Sequence, residues 1–168
     1  VAAAGNSNIC IGRPSPPNYK CPEDGKTPQQ MYPAAWSFVL GVESSAPSGG
    51  KSGFSNYDED GPITSYWPNL LNYEVRAPGS QIISTIPAGT SGNNNKYKSM
   101  SGTSMACPAV AGAVSLLKSF KPTFTHEKVF LHLIKTQTSN IQLNDAIDFI
   151  LPPELMYVTS EVVDTLGG

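Results

Sequence analysis

The chain has 168 residues, enough for one compact domain with a sizeable core. Eleven Lys and Arg stand against thirteen Asp and Glu, for a formal charge of −2. The basic residues are scattered rather than massed, which excludes nucleic acid as an electrostatic partner, and no apolar run approaches the ~18 residues of a membrane span. No basic-then-apolar leader opens the chain. That says nothing, because the sequence starts without methionine on an apolar run, VAAAG, that looks cut mid-element.

In chain order, residues 1–4 read as a buried strand end, closed by Gly5 and Asn6. Residues 7–31 collect Pro, Cys and polar residues and read as one long excursion. Residues 34–44, AAWSFVLGVES, are almost continuously apolar, as a strand covered on both faces should be. Residues 45–73 are loop-rich and include the acidic run Asp58, Glu59, Asp60 and the aromatic patch Tyr66, Trp67, Tyr73. YEVRAPG is the next strand, and QIISTIP and KYKSM are two arms of a hairpin around AGTSGNNN.

Two helices follow. The first is expected from about Ser104 to Ser119, stopped by Pro122. Ala106, Ala109, Val110, Ala111, Gly112, Ala113 and Val114 make it small or apolar all round, which describes a helix inside a core. The second starts at Thr125 as N-cap, carries Glu127 in its first turn and buries Val129, Phe130, Leu133 and Ile134. LNDAIDFI is a candidate third helix, and residues 151–168 form a tail of undecided structure. Strands interleaved with helices argue for an α/β fold on a mostly parallel sheet.

Three cysteines cannot all pair within one chain. Cys10 and Cys21 flank the Pro-rich loop IGRPSPPNYK, which has no means of packing itself. A disulfide there would close the loop and imply an oxidising compartment; the alternative is three free thiols. Cys107, in the small-residue run, is expected to be a buried, inert thiol.

Ser104 stands where a glycine-containing turn gives way to helix. It, or Thr103, is suited to cap that helix. Three features point beyond a cap. An interior helix can hold its N-terminus rigidly beside a cleft, where unpaired N–H groups and the dipole favour negative charge. Pro108 falls inside the first turns, so something must hold that opening in shape. Gly5 and Asn6 place a side-chain amide, able to donate to an oxyanion, at a strand end that a substrate backbone can approach.

GTSMACPAVAG, residues 102–112, resembles the nucleophile signature of the subtilisin-like serine proteases, the subtilases. AAAGN, residues 2–6, resembles their oxyanion strand, with Asn6 at the amide donor. YPAAWSFVLGVESS, SGFSNY and EVRAPGSQIIST follow in the family's order, and LNDAIDFI fits its closing helix. The likeness covers residues 1–150 in patches, with apparent insertions near 7–31 and 58–72. It departs at Ala109, where the family commonly has His; that position lies outside the triad.

The resemblance implies an α/β fold, a partial subtilisin-like mostly parallel sheet with helices on both faces, lacking the N-terminal strands. It implies a serine endopeptidase with Ser104 as nucleophile, and with the Asn6 amide and the Ser104 N–H as oxyanion hole. Ala3, Ala4 and Gly5 would border the substrate pocket, and the substrate would be a peptide or protein. No cofactor is required for that chemistry. Structural calcium is frequent in the family, and Asp58, Glu59 and Asp60 are either its ligands or a solvated turn. The aromatic patch either flanks a substrate groove or packs on its own small core. A secreted or extracytoplasmic location accompanies the disulfide.

A serine nucleophile needs a base, and the base an orienting carboxylate. In subtilases both precede the oxyanion strand. His126 and His132 are the histidines here. A helix of roughly 16 residues at ~1.5 Å per residue puts its far end some 22–24 Å from Ser104. His126 lies just beyond that end, and His132 recovers about 9 Å even if the next helix doubles back fully. That leaves both out of hydrogen-bond reach. Both read as surface or helix-terminal residues. Residues 1–150 are thus expected to be the C-terminal portion of a subtilase catalytic domain, partnered by a complementary N-terminal segment that supplies Asp and His. The competing reading is an inactive pseudoprotease or regulatory binding module. A third makes Cys107 the nucleophile, walled in a turn deeper.

Overall fold

The computed structural model describes residues 1–11, 21, 25, 27–36, 38–57, 74–87 and 96–136. Three parallel strands, β1 (Ala2–Ala3), β2 (Gly41–Ser45) and β3 (Glu74–Pro78), form one sheet in the order β1-β2-β3. Ala3, Val42 and Val75 share one register level, and Glu43 pairs with Arg76 at the next. Alternation along the strands then sends Val42, Val75 and Ala77 to one face and Glu43 and Arg76 to the other. Every β2 residue is buried. On the second face Arg76 Nε and Nη2 donate to Glu43 Oε2 at 2.9 and 2.7 Å, which neutralises a carboxylate that the apolar reading of this strand ignores.

The expected strand over residues 34–44 is shorter than its apolar run. Residues 32–35 form a turn opened by a cis Tyr32–Pro33 peptide, with Ala35 N–H donating to Met31 O and Trp36 N–H to Pro33 O. Pairing begins only at Gly41. Trp36 and Phe38 stack on each other at 5.5 Å and stay exposed, so they contribute apolar letters without contributing core.

Helices α1 (Thr103–Phe120) and α2 (His126–Thr136) pack on the Val42 face. Leu40, Val42, Val75 and Ala77 meet Ala106, Val110, Ala113 and Leu117 of α1 and Val129, Phe130, Leu133 and Ile134 of α2 in one core. Each large side chain in it stabilises the fold by about 1.5–3 kcal/mol. The α1 stripe recurs every three or four residues, and Pro108, Ala109, Gly112, Ser115, Leu116 and Ser119 opposite are exposed. That corrects the expectation of a helix buried all round: Ala and Gly fit either environment and carry no direction. Thr125 does cap α2, its Oγ1 accepting the Lys128 N–H at 3.3 Å.

β4 (Ile82–Thr85) and β5 (Tyr97–Met100) are antiparallel, from Ile82 opposite Met100 to Thr85 opposite Tyr97, and largely exposed. Cys10 and Cys21 are joined in a disulfide and pack with Tyr57 in a second small cluster. Among the described residues no three His, Cys, Asp or Glu converge as a metal site, and no helix is long and apolar enough to cross a membrane. Asp58, Glu59 and Asp60, the patch Tyr66, Trp67 and Tyr73, the loop 88–95, LNDAIDFI and the tail 151–168 lie outside the described residues.

Candidate active site

The carboxyl ends of the three parallel strands meet the N-terminus of α1. This is the place where an open parallel sheet usually offers a crevice. β3 runs into Gly79, whose N–H donates to Ser45 O at 3.2 Å and whose carbonyl accepts the Gly102 N–H at 2.8 Å. A Cβ on Gly79 would stand 2.4 Å from Ser44 Oγ and 2.7 Å from Gly102 O. The turn ahead of α1 is therefore pressed directly onto the sheet.

β1 leaves the sheet through Ala4, which is fully buried, and Gly5, at φ +106°. Only glycine takes that backbone cheaply. The turn swings Asn6 against the start of α1. Thr103 N–H donates to Asn6 Oδ1 at 2.9 Å, Thr103 Oγ1–H donates to the same oxygen at 3.0 Å, and Gly5 N–H donates to Thr103 Oγ1 at 3.1 Å. A backbone N–H accepts nothing, so the Asn6 atom facing it is the carbonyl oxygen, and the NH₂ group is left as donor. A Cβ on Gly102 would lie 3.3 Å from Asn6 Nδ2 and 3.7 Å from Ser104 N. Both nitrogens border the same small space.

Gly102 is the N-cap and offers no side-chain cap. The cap expected of Ser104 or Thr103 is absent, because the Thr103 hydroxyl is directed across to the β1 loop. Asn6 takes the Thr103 N–H, while the Ser104 N–H belongs to the first-turn donors that a helix leaves unbonded. Ser104 is exposed. Pro108, four residues on, has no N–H for the Ser104 carbonyl, so the opening turn is relieved of one α-helical bond just behind this serine.

Asn6 and Ser104, singled out in the sequence, are thus brought together. Ala3 and Gly5 beside them are half-buried, and Ala4 points inward. His126 and His132 are elsewhere. α1 has 18 residues, roughly 25 Å at ~1.5 Å per residue, and both histidines follow its far end. His126 opens α2 and is exposed, as expected; His132 corrects the expectation of a surface residue, being buried edge-on to Phe124. Cys107 is half-buried rather than walled in, packed on the edge of the core. Burial pushes its thiol above the ordinary value.

Sequence reasoning gave Thr103 no role beyond a helix cap, and residues 52–56 none beyond their place in the family's order. Ser44 Oγ bonds Ser52 Oγ at 2.8 Å, Ser52 Oγ bonds Ser80 Oγ at 2.7 Å, and Ser55 Oγ accepts the Ser44 N–H at 2.9 Å. Asn56, fully buried, follows next. The available signal was a cluster of serines beside an asparagine with no apolar period to explain them.

The sequence profile of the Subtilase family matches residues 1–150. The chain belongs to the subtilase family. The Major intracellular serine protease of Bacillus subtilis is 34% identical to this subtilase over 117 residues, 67% of this chain and 31% of that protein. An Extracellular protease of Xanthomonas campestris is 37% identical over 101 residues, 60% and 15% respectively. This subtilase therefore spans about a third or less of the length of these curated relatives. A solved protease of Pseudoalteromonas arctica superposes on 89% of the chain, with 42% of its own length covered, at TM-score 0.63 and 24% identity. That likeness bears on the α/β fold alone.

Proposed function

We propose that this subtilase chain carries the nucleophile and oxyanion hole of a serine endopeptidase. Ser104 Oγ attacks the scissile carbonyl, and the tetrahedral adduct places its oxygen between Asn6 Nδ2 and the Ser104 N–H. Each donor is fixed before the substrate arrives, so neither needs reorganising as charge develops; loss of one costs about 10²–10³ in turnover. On collapse the C–N bond breaks, the amine half of the peptide leaves with the proton that the general base took from Ser104 Oγ, and Ser104 stays acylated until water releases it. Ala3 and Gly5 line the approach of the substrate backbone; Ala4, expected beside them, is fully buried and does not.

The observation that carries this reading is the closed set of bonds among Gly5, Thr103 and Asn6. It turns the Asn6 oxygen inward and leaves its amide for an anion beside Ser104. The general base and its carboxylate come from another segment of the protease that docks on this one, since neither histidine of this chain is near. β1 has β2 as its one described neighbour, and its free parallel edge suits such a segment. Peptides or proteins are the substrates. The disulfide and the extracellular relative support a secreted location over the intracellular one.

The test is labelling of the full-length protein with a fluorophosphonate. Modification should fall on Ser104, and Ser104→Ala should abolish both labelling and peptide hydrolysis while leaving the circular dichroism spectrum intact. Hydrolysis retained by Ser104→Ala refutes the assignment. No labelling of a folded full-length chain would favour the binding-module alternative.

A further inference from the structure

The loop that carries Asn6 is short, glycine-containing and outside the sheet, yet its amide must be held to within a fraction of an ångström to serve an oxyanion. On the side away from Thr103, one residue makes four of the hydrogen bonds that hold it, three through its side chain and one through its backbone N–H. Asn56 Oδ1 accepts the Ser7 N–H at 2.9 Å and the Ile9 N–H at 3.2 Å. Its Nδ2 donates to Ala4 O at 2.9 Å, and its own N–H donates to Gly5 O at 2.9 Å. These bonds grip the chain on both sides of Asn6. Asn56 is fully buried, so no water substitutes for them.

We propose that Asn56 is a positioning residue for catalysis, setting the Asn6 amide against Ser104 by clamping residues 4–9. This rests on the oxyanion role proposed for Asn6.

Neighbouring bonds make Asn56 the centre of a seam. Asn8 N–H donates to Phe54 O at 2.9 Å, Tyr57 N–H to Ile9 O at 3.2 Å, and Ile11 N–H to Tyr57 O at 2.8 Å. Lys51 Nζ reaches Asn8 Oδ1 at 2.8 Å. The backbone seam can survive loss of the Asn56 side chain, but the stretch from Ala4 to Ser7 then keeps only the Gly5 carbonyl bond on this side. Gly5 adds shape to the argument. A Cβ there would sit 2.4 Å from Asn56 Nδ2, so glycine at this position serves the close approach of the clamp as well as the turn. Asn56 does not touch the space between Asn6 and Ser104. Its effect has to pass through Asn6.

That indirectness gives the experiment. In the full-length protease, Asn56→Ala should lower kcat by about 10–10²-fold, because displacements near 1 Å cost on the order of 10², with KM within about twofold. The decisive readout is a double-mutant cycle with Asn6→Ala. If Asn56 acts through Asn6, Asn56→Ala should cost less than about threefold in kcat once Asn6→Ala is present. Rates are normalised to sites labelled by fluorophosphonate, which removes any unfolded fraction. An equal loss in both backgrounds, or an unchanged kcat for Asn56→Ala alone, overturns the proposal. An Asn6→Ala variant with unchanged kcat instead overturns the oxyanion reading beneath it. Should Asn56→Ala fail to accumulate, Asn56→Asp goes through the same cycle with the same two outcomes. It keeps the acceptors for Ser7 and Ile9 and loses the donor to Ala4.

Discussion

Replacing Gly5 by alanine tests the turn that delivers Asn6. The backbone at φ +106° is foreign to a residue with a Cβ, and such strain costs about 1–3 kcal/mol. The new methyl would also lie 2.4 Å from Asn56 Nδ2 and 3.3 Å from its Cγ. Asn56 cannot swing aside without dropping its bonds to Ser7, Ile9 and Ala4, so overpacking adds about 1–3 kcal/mol. The sum, about 2–6 kcal/mol, is a large part of the ~5–15 kcal/mol that holds a domain together. The measurement is urea denaturation of full-length protein in a Ser104→Ala background, which prevents self-digestion. The midpoint should fall by that energy divided by the m-value, with the m-value itself unchanged. A Gly5→Ala protein with an unaltered midpoint would show that the loop is not pressed onto Asn56, and the account of the site would fail with it.

Thr103→Val keeps the shape of a side chain that is 1% exposed and removes its hydroxyl. Gly5 N–H then loses its acceptor and Asn6 Oδ1 one donor, for about 1–3 kcal/mol of stability. An expected kcat loss of ~10-fold, below the ~10²–10³ for a missing donor, should be largely restored by Thr103→Ser; a Thr103→Val enzyme with unchanged kcat refutes the role. Cys107 should alkylate with iodoacetamide at pH 8 more slowly than a free thiol. Its folded pKa is raised, so its contribution to stability is complete below the unfolded value near ~8.5 and is lost as pH rises through the folded one. The decline in stability above that pH should be shallower in Cys107→Ala, and an identical slope would refute the burial effect.

The parts of the fold written in short-range pattern were legible in the sequence. α2 announced itself by Thr125 and by Val129, Phe130, Leu133 and Ile134 at helical spacing, and the hairpin by two β-rich arms around a glycine- and asparagine-rich loop. Ser104 and Asn6 could be picked out through the order of motifs around them. What failed had its cause in distant contacts. Trp36 and Phe38 read as strand because apolar letters do not say whether a side chain reaches the core, and here a turn keeps both outside. The Thr103 hydroxyl read as a cap because its partner, Asn6, is 97 residues away. Asn56 was invisible for a related reason: its partners lie some fifty residues upstream, on a loop with no period of its own.

The bond from Gly5 to Thr103 closes a span of 98 residues. Chain segments so far apart come together only late, after shorter-range structure has offset the entropy of closing the loop. A nascent or half-assembled polypeptide can wind α1 and display Ser104, yet it has no amide waiting opposite. If Asn6 and Ser104 act as proposed, competence to stabilise an oxyanion is therefore a property of the finished tertiary structure.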